Sequence, residues 1–468
     1  MGMVKQRIIV HTVYFPSVEA GDDAEPNGAR ELGEQLYDLL TRPRIDPLGW
    51  GAGVPVRVAT RFDQVDVTEA DRVFVVATLG QDLQDSAKRR NGAIDKLGAW
   101  KSQGAFVIPV LRSESWLGYE GSLPVKPLRT EVGHESSRDA TIEEIVLAVA
   151  RELSEGDSGK VHVFISHAKG DLKSTGKAAE EIQRHIQERT TADKPFFDKA
   201  TLLAGEELDT QIDAAAGQGV FIAVRGDTYS SRAWCVRELL KAKRQRLPMV
   251  SVEVLRNGES RSSAYSGNGP TITWDQQNSA RSASGVARLA MVECVRHLLF
   301  NAEAKRLTEF TDLPSDAIAI MPRAPELLDL PSLHAEFGER ELIVLHPDPE
   351  LAVTERELLY EADKDLRLLT PTTAFSGAAG RALRAPLGGW QVALSLSNNP
   401  DAGRVDGVTQ DHIVDATVFL ARALIGAGAE LAYGGDYRNE ESYTRLLIQL
   451  ASAYKQTANN KTQSLHSY

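Results

Sequence analysis

The stretch GVFIAVRGDTYSSRAWCVRELLKAKRQRLPMVSVEVL (219–255) decides the fold of this chain. Its first seven residues, 219–225, form an apolar and β-branched run that predicts a buried strand. A helical segment follows the turn, and a second apolar run covers 247–255. Strand, helix and strand in this order predict a parallel β-α-β unit.

The same alternation recurs in both directions and predicts an α/β protein with three flavodoxin- or Rossmann-like parallel-sheet domains in tandem. We expect domains at 1–155, 159–300 and 341–468, with a linker EGDSGK at 155–160 and a Pro-containing connector at 301–340. The other strand-like runs are 7–13, 54–60, 71–79, 104–111, 194–198, 270–274, 341–347, 389–397 and 429–435. The second domain also opens on a strand-like segment, KVHVFISHAKGD (160–171).

Composition sets the broad class of protein. A chain of 468 residues with 42% hydrophobic and 25% charged residues predicts two to four globular domains and excludes disordered and collagen-like classes. The only two cysteines, Cys235 and Cys294, favour a reducing, cytoplasmic setting over a disulfide scaffold. The sequence has no apolar run long enough for a membrane span, and the net charge of −12 argues against nucleic acid as a partner.

Two residues of the central stretch point to a site. Trp234 and Glu238 are four apart and so share a helix face next to the carboxyl end of a strand, where open α/β sheets bind ligands. We expect Ser230 or Ser231 to cap that helix. The alternative is that Glu238 is an ordinary solvated residue of an amphipathic helix.

Three motifs in order decide between these alternatives. FISHAKGD (164–171), FFDKATLLAGEEL (196–208) and SSRAWCVREL (230–239) together resemble the first strand and loop, the mobile loop and the Ser-Trp-Cys-Glu motif of the Toll/interleukin-1 receptor (TIR) domain. The resemblance covers about 140 residues. Many bacterial TIR domains of this kind cleave NAD.

The resemblance assigns the site residues. It implies that Glu238 is catalytic and that NAD is the substrate, with no cofactor and no metal. The residues that it places around NAD are Trp234, Ser166, His167, Lys169, Asp198, Gly205 and Tyr229. A fixed carboxylate suits this chemistry, because the ribose left by nicotinamide is oxocarbenium-like and positively charged. Hydrolysis and cyclisation share this first step, so both products stay open.

The first domain repeats the plan without the site. At the place of the Ser-Trp-Cys-Glu motif it has QDLQDSAKRRNGAIDKL (81–97), which lacks the tryptophan and the glutamate. We interpret it as a degenerate TIR-like domain used for packing or assembly. An unrelated flavodoxin-like domain is the alternative.

The third domain carries two strand ends with small residues. GWQVALSLSNNPD (389–401) and GAELAYGGDYR (428–438), with an apolar helix between them, resemble the SLOG family of Rossmann-like nucleotide-binding domains. Glycines at a strand end let backbone amides approach a phosphate. The resemblance places Ser395, Ser397, Gly434, Gly435 and Arg438 at a nucleotide-derived second messenger. We also expect the sequence to be truncated inside this domain, after Tyr468.

Together these features predict an antiphage immune effector. The third domain binds the nucleotide signal, and the TIR domain then cleaves NAD, with assembly through TIR domains controlling activity. The alternatives are a TIR domain that cyclises NAD into a signal and a non-enzymatic assembly module in which Glu238 is a helix residue.

Overall fold

The chain folds as an α/β protein. A computed structural model describes residues 8–14, 29–41, 52–59, 65–68, 70, 72–80, 87–111, 120–129, 135–153, 161–168, 175–190, 197–202, 219–259, 262–263, 265–310, 317–338, 341–348, 350–374, 387, 389–395, 410–426, 429–433, 443–455 and 466–467. All strand pairs in these ranges are parallel.

The first sheet has five strands in the order β2-β1-β3-β4-β5. Its strands are Ile8–Tyr14 (β1), Val56–Ala59 (β2), Arg72–Leu79 (β3), Phe106–Leu111 (β4) and Leu128–Arg129 (β5). The helices that accompany it are Ala29–Leu40 (α1), Ala87–Ser102 (α2) and Glu135–Leu153 (α3). The β3 strand is buried along almost its whole length, which explains its nearly continuous apolar sequence.

The second sheet repeats this order as β7-β6-β8-β9-β10. Its strands are Val161–His167 (β6), Phe197–Leu202 (β7), Gly219–Arg225 (β8), Met249–Glu253 (β9) and Thr271–Thr273 (β10). Its helices are Lys177–Thr190 (α4), Ala233–Arg244 (α5) and Ser279–Phe310 (α6). Both sheets therefore have the flavodoxin-like 2-1-3-4-5 order, and the switch point of the second lies between β6 and β8.

The chain after α6 forms two three-stranded sheets rather than one. The first contains Ile318–Ile320 (β11), Leu342–Leu345 (β12) and Leu366–Leu369 (β13), with helices Leu330–Phe337 (α7) and Val353–Ala362 (α8). The second contains Gln391–Leu394 (β14), Glu430–Tyr433 (β15) and His466–Ser467 (β16), with helices Gln410–Gly426 (α9) and Tyr443–Lys455 (α10).

The connector expected at 301–340 needs correction. Residues 317–338 hold β11 and α7, and Ile318, Met321 and Leu333 of this segment are buried. The strand β11 pairs with β12, and Met321 and Leu333 pack in the core beside this sheet. This stretch is therefore part of the domain that contains the third sheet. The expected linker at 155–160 lies outside the described residues.

The first two sheets share one hydrophobic core. Ile142 and Ile145 of α3 belong to the same buried cluster as Val286 and Ala290 of α6. Buried side chains of α4, such as Ile182, complete this layer. The first unit is therefore fixed to the second by apolar packing between helices.

Polar contacts fix α3 in one register on its neighbours. Glu143, 2% exposed, accepts a hydrogen bond from Ser284 Oγ at 3.0 Å and lies 2.9 Å from His185 Nε2. Arg288 forms an ion pair with Asp139 at 3.0 Å. A buried carboxylate stabilises only the arrangement that supplies its donors, so these contacts make the interface specific.

Helix α6 serves two cores. Its first half packs in the core just described, and Phe300, Ala304 and Leu307 near its end pack with Ile343 and Leu369 of the third sheet. In the described part of the chain, no helix has the length and apolar character of a membrane span.

Truncating the helix interface should destabilise both units together. Ile145→Ala removes a fully buried side chain from the shared core, and we expect a loss of about 2–5 kcal/mol in the free energy of unfolding. Chemical denaturation followed by circular dichroism measures it. Leu358→Ala is the control, because Leu358 is 53% exposed and its loss should cost about 0.5 kcal/mol or less. Equal effects of the two changes would contradict the shared core.

Candidate active site at the switch point of the second sheet

Glu238 is a residue of α5, and its carboxylate lies on the buried side of this helix, at the carboxyl end of β6. Glu238 is 1% exposed, and Ser166, the next-to-last residue of β6, is fully buried. Ser166 Oγ donates a hydrogen bond to Glu238 Oε2. The strand β6 pairs with β8 up to His167 and Val224, so this contact sits at the switch point where such sheets bind ligands.

A tyrosine extends this contact into a chain of three side chains. Tyr229, on the single 3-10 turn Tyr229–Ser231 after β8, has its hydroxyl 2.9 Å from Ser166 Oγ. A serine hydroxyl carries one proton, and that of Ser166 is directed to Glu238. The phenol therefore donates to Ser166, and Ser166 donates to the carboxylate.

Burial keeps the neighbouring acids protonated. It raises the pKa of the Tyr229 phenol well above its usual value, so the phenol keeps the proton that it donates. Burial, with the negative charge of Glu238 as the next cause, raises the pKa of the Cys235 thiol to about 12. Cys235 is therefore a buried, protonated thiol, as a packing role predicts, and is not a nucleophile at neutral pH.

The start of α5 differs from the sequence prediction. Arg232 is the N-cap residue, so the expectation that Ser230 or Ser231 caps the helix was wrong. The reason is the 3-10 turn that comes first. Within it, Ser230 donates both its amide and its hydroxyl to Glu259.

Trp234 lies on the first turn of α5 and is half-buried. The guanidinium carbon of Arg237 lies 5.2 Å from the centre of its ring, in a cation-π contact. The aromatic ring and the carboxylate of Glu238 thus come from the same helix but differ in burial.

The remaining predicted NAD contacts are only partly described. His167 ends β6 and is half-buried. Asp198 lies within β7, and its side chain is outside the described residues, as are Lys169 and Gly205. Contact of these residues with NAD stays a prediction. For Ser166, the structure adds a role that the sequence did not reveal, as the donor to Glu238.

The other end of α5 is held by buried charges from the segment before α7. Lys243, 1% exposed, donates to Glu326 at 2.5 Å and to the carbonyl of Gly267 at 3.1 Å. Burial lowers the pKa of Lys243, and Glu326 opposes this shift. Arg323 donates to Asp329 at 2.9 Å and reaches the carbonyl of Lys243. We name this group of four side chains, Lys243, Arg323, Glu326 and Asp329, the clasp.

A buried histidine ties α6 to the same place. His297 Nε2 lies 2.8 Å from the carbonyl oxygen of Arg246, so the nitrogen donates its proton there. Burial lowers the pKa of His297 to about 3, and the imidazole is therefore neutral at physiological pH. The helix that bears Glu238 is thus fixed to both α6 and the third sheet.

The second candidate site lies in the fourth sheet. Ser395 directly follows β14 and is exposed. The sheet packs under α9 and α10 through a core that includes Val418, Leu431 and Leu447. The other predicted ligands, Ser397, Gly434, Gly435 and Arg438, lie outside the described residues.

Residues 386–468 match the family model of SLOG cluster2. The match covers the fourth sheet with α9 and α10 and excludes the third sheet. The SLOG assignment is therefore confirmed for the end of the chain, and it associates this part with nucleotide binding.

Curated proteins and solved structures do not assign a family to the rest of the chain. No curated protein matches the chain. Among solved structures, the tagatose-6-phosphate ketose/aldose isomerase from Escherichia coli is similar at 10% identity and a TM-score of 0.20, over 63% of this chain and 83% of the isomerase. Similarity at this level does not define a shared fold.

Removing the donor to Glu238 should destabilise the fold. Ser166→Ala takes a hydrogen bond from a buried carboxylate, and we expect a loss of about 1–3 kcal/mol in the free energy of unfolding. Urea denaturation measures it. Ser231→Ala is the matched control, because Ser231 is exposed and donates only to the carbonyl of Thr228. A Ser166→Ala protein as stable as this control would contradict the hydrogen bond.

Acid should weaken the clasp region through His297. Its pKa is lowered on folding, so below the ordinary value of 6.5 the unfolded chain binds a proton that the folded protein does not. The contribution of His297 to the free energy of unfolding is fully present above pH 6.5. It decreases as the pH drops towards the folded pKa, and the loss is about 2 kcal/mol near pH 5.

The variant His297→Gln isolates this effect. Glutamine keeps an N–H donor for the carbonyl of Arg246 but does not titrate. Urea denaturation at neutral and acidic pH should show a smaller acid-induced loss in the variant than in the wild type. His346, whose pKa burial lowers to about 4, adds a similar loss to both proteins. Identical losses in the two proteins would contradict the assignment.

Proposed function

We propose that this protein is an antiphage immune effector in which the second sheet carries a TIR-type NAD glycohydrolase site and the SLOG domain binds a nucleotide signal. The reaction releases nicotinamide and an ADP-ribose product. Glu238 is the catalytic residue, and NAD is the substrate rather than a bound cofactor.

One observation carries the enzymatic part of this proposal. A glutamate lies at the switch point of a flavodoxin-like sheet, with its carboxylate held by a hydroxyl from the first strand. A carboxylate at this position, once it is uncovered, can stabilise an oxocarbenium-like ribose by its negative charge. The relay from Tyr229 through Ser166 orients the carboxylate by a hydrogen bond to Oε2.

The burial of Glu238 implies that the site is regulated. A residue that is 1% exposed does not meet the ribose of NAD without a rearrangement. We therefore propose that the structure represents the resting state and that activation uncovers Glu238. A signal that binds the open state more tightly shifts the population by its difference in affinity for the two states.

The location of the clasp supports communication along the chain. The clasp connects the helix of Glu238 to the segment before α7, and α6 runs from the shared core of the first two sheets to the third sheet. The SLOG domain follows that sheet in the sequence. We propose that binding there acts on α5 by way of the third sheet and the clasp.

The same burial favours a second candidate function. In a non-enzymatic assembly module, the hydrogen bonds of Glu238 would only stabilise the fold. The first unit has the same strand order without this glutamate, which shows that the fold does not need the site.

Nicotinamide release by the purified full chain distinguishes the two functions. Wild type should turn over NAD in the presence of an activating probe; cyclic ADP-ribose, cyclic di-AMP and cyclic AMP are the probes. Glu238→Ala and Glu238→Gln should lower the rate by about a hundredfold or more, because they remove the charge that stabilises the transition state. Chromatography of the products separates hydrolysis from cyclisation.

The matched control for this experiment is Glu143→Gln. Glu143 is also a buried glutamate, 2% exposed, but it lies between α3 and its neighbours, away from the site. This variant should keep the turnover of the wild type if it folds. Wild type and Glu238→Ala that are equally inert with every probe and at every protein concentration would overturn the enzymatic proposal and leave the assembly module.

A further inference from the structure

The outer side of α5 borders an open groove. This groove has a volume of about 880 Å³ and lies between α5 and the residues Ser262, Ser263 and Tyr265. Ser166, Tyr229 and Glu238 are on the opposite, buried side of the helix, and none of them lines the groove. Its size is typical of a small-molecule site.

The lining of the groove is cationic. Arg237, Lys241 and Arg244 recur at spacings of four and three residues, so they form one stripe along α5 that is about 10 Å long. Among the described residues, the lining includes no aspartate or glutamate, although the whole chain has a net charge of −12. This face of α5 therefore carries three basic side chains.

One acid close to the groove, Glu259, already has a cationic partner. Glu259 lies close behind the groove, since it accepts hydrogen bonds from the lining residue Ser230. Its side chain is 5% exposed and forms an ion pair with Arg225 at 2.8 Å. Glu259 is thus withdrawn from the groove and offers little repulsion to an anion.

Helix stability alone does not account for this stripe. Lys241 and Arg244 lie in the last turn of α5, where cations complement the helix dipole. Arg237 lies in the second turn and gains nothing from this effect. Its guanidinium is instead held near the ring of Trp234 at 5.2 Å, which keeps a planar, bidentate phosphate donor at the groove.

The rest of the lining suits an organic ligand. Four serines supply hydroxyl groups, Val236 and Leu240 supply an apolar floor, and Tyr265 is 38% exposed at the opposite wall. An exposed tyrosine ring offers a stacking surface for a base. Cations at one wall and an aromatic ring at the other match the two parts of a phosphorylated nucleotide.

We propose that this groove is a second nucleotide site, which binds a nucleoside polyphosphate with its phosphates on Arg237, Lys241 and Arg244 and its base on Tyr265. The site is separate from the SLOG domain and from the buried carboxylate of Glu238. The proposal does not depend on NAD cleavage. Arg237 lines the groove and also contacts Trp234, which is a residue of the predicted NAD site. The phosphates in the groove would therefore bind a residue that contacts both sites.

Equilibrium dialysis of the full chain with inorganic tripolyphosphate, ATP and adenosine tests the proposal. Tripolyphosphate and ATP should bind, and adenosine should bind far more weakly. The triple variant R237A/K241A/R244A should lose about a hundredfold in affinity for tripolyphosphate at this site, because it lacks three charge-assisted contacts. Tyr265→Ala should lower the affinity for ATP by about tenfold and leave that for tripolyphosphate unchanged.

Two controls separate this site from other effects. A triple variant at exposed lysines elsewhere, K88A/K305A/K364A, makes the same change in net charge and should keep the affinity of the wild type. Any ATP bound by the SLOG domain is retained after the groove substitutions, so the groove variant should bind one ATP fewer per chain than the wild type. An unchanged affinity and stoichiometry in the groove variant, or an equal loss in the lysine control, would overturn the proposal. ATP binding that is insensitive to Tyr265→Ala would overturn the assignment of a nucleotide.

Discussion

A carboxylate in an apolar setting has to be hydrogen-bonded, and this requirement organises the second unit. Glu238 lies under α5 with almost no exposure, and Ser166 supplies its donor from the end of the first strand of that sheet. An uncompensated buried charge costs several kcal/mol, so the helix position and the strand end are specified together. Tyr229, Cys235 and the strand β8 then pack around this pair.

Much of the fold could be predicted from the sequence because buried parallel strands have continuous apolar runs. The run 219–225 coincides with β8, and 71–79 with β3 to within one residue. The strands β11 and β13 were missed. They have three and four residues and lie beside prolines and charges, so neither length nor periodicity distinguishes them from turns.

The candidate site was predictable only where a motif is local. Trp234 and Glu238 are four residues apart, so their helix reveals them. Ser166, which donates to Glu238, is 72 residues away along the chain. Lys243 shows the opposite case. The sequence KAKR is typical of a solvated helix end, yet Lys243 is buried by Glu326, which follows 83 residues later. Such tertiary pairing leaves no periodic signal.

Helix α6 has a mechanical consequence. Its 32 residues extend over about 48 Å, and its two halves belong to different cores. A rigid rod of that length acts as a lever, because a tilt of about 5° at one end displaces the other by about 4 Å. Small adjustments in the shared core of the first two sheets are thereby amplified at the third sheet.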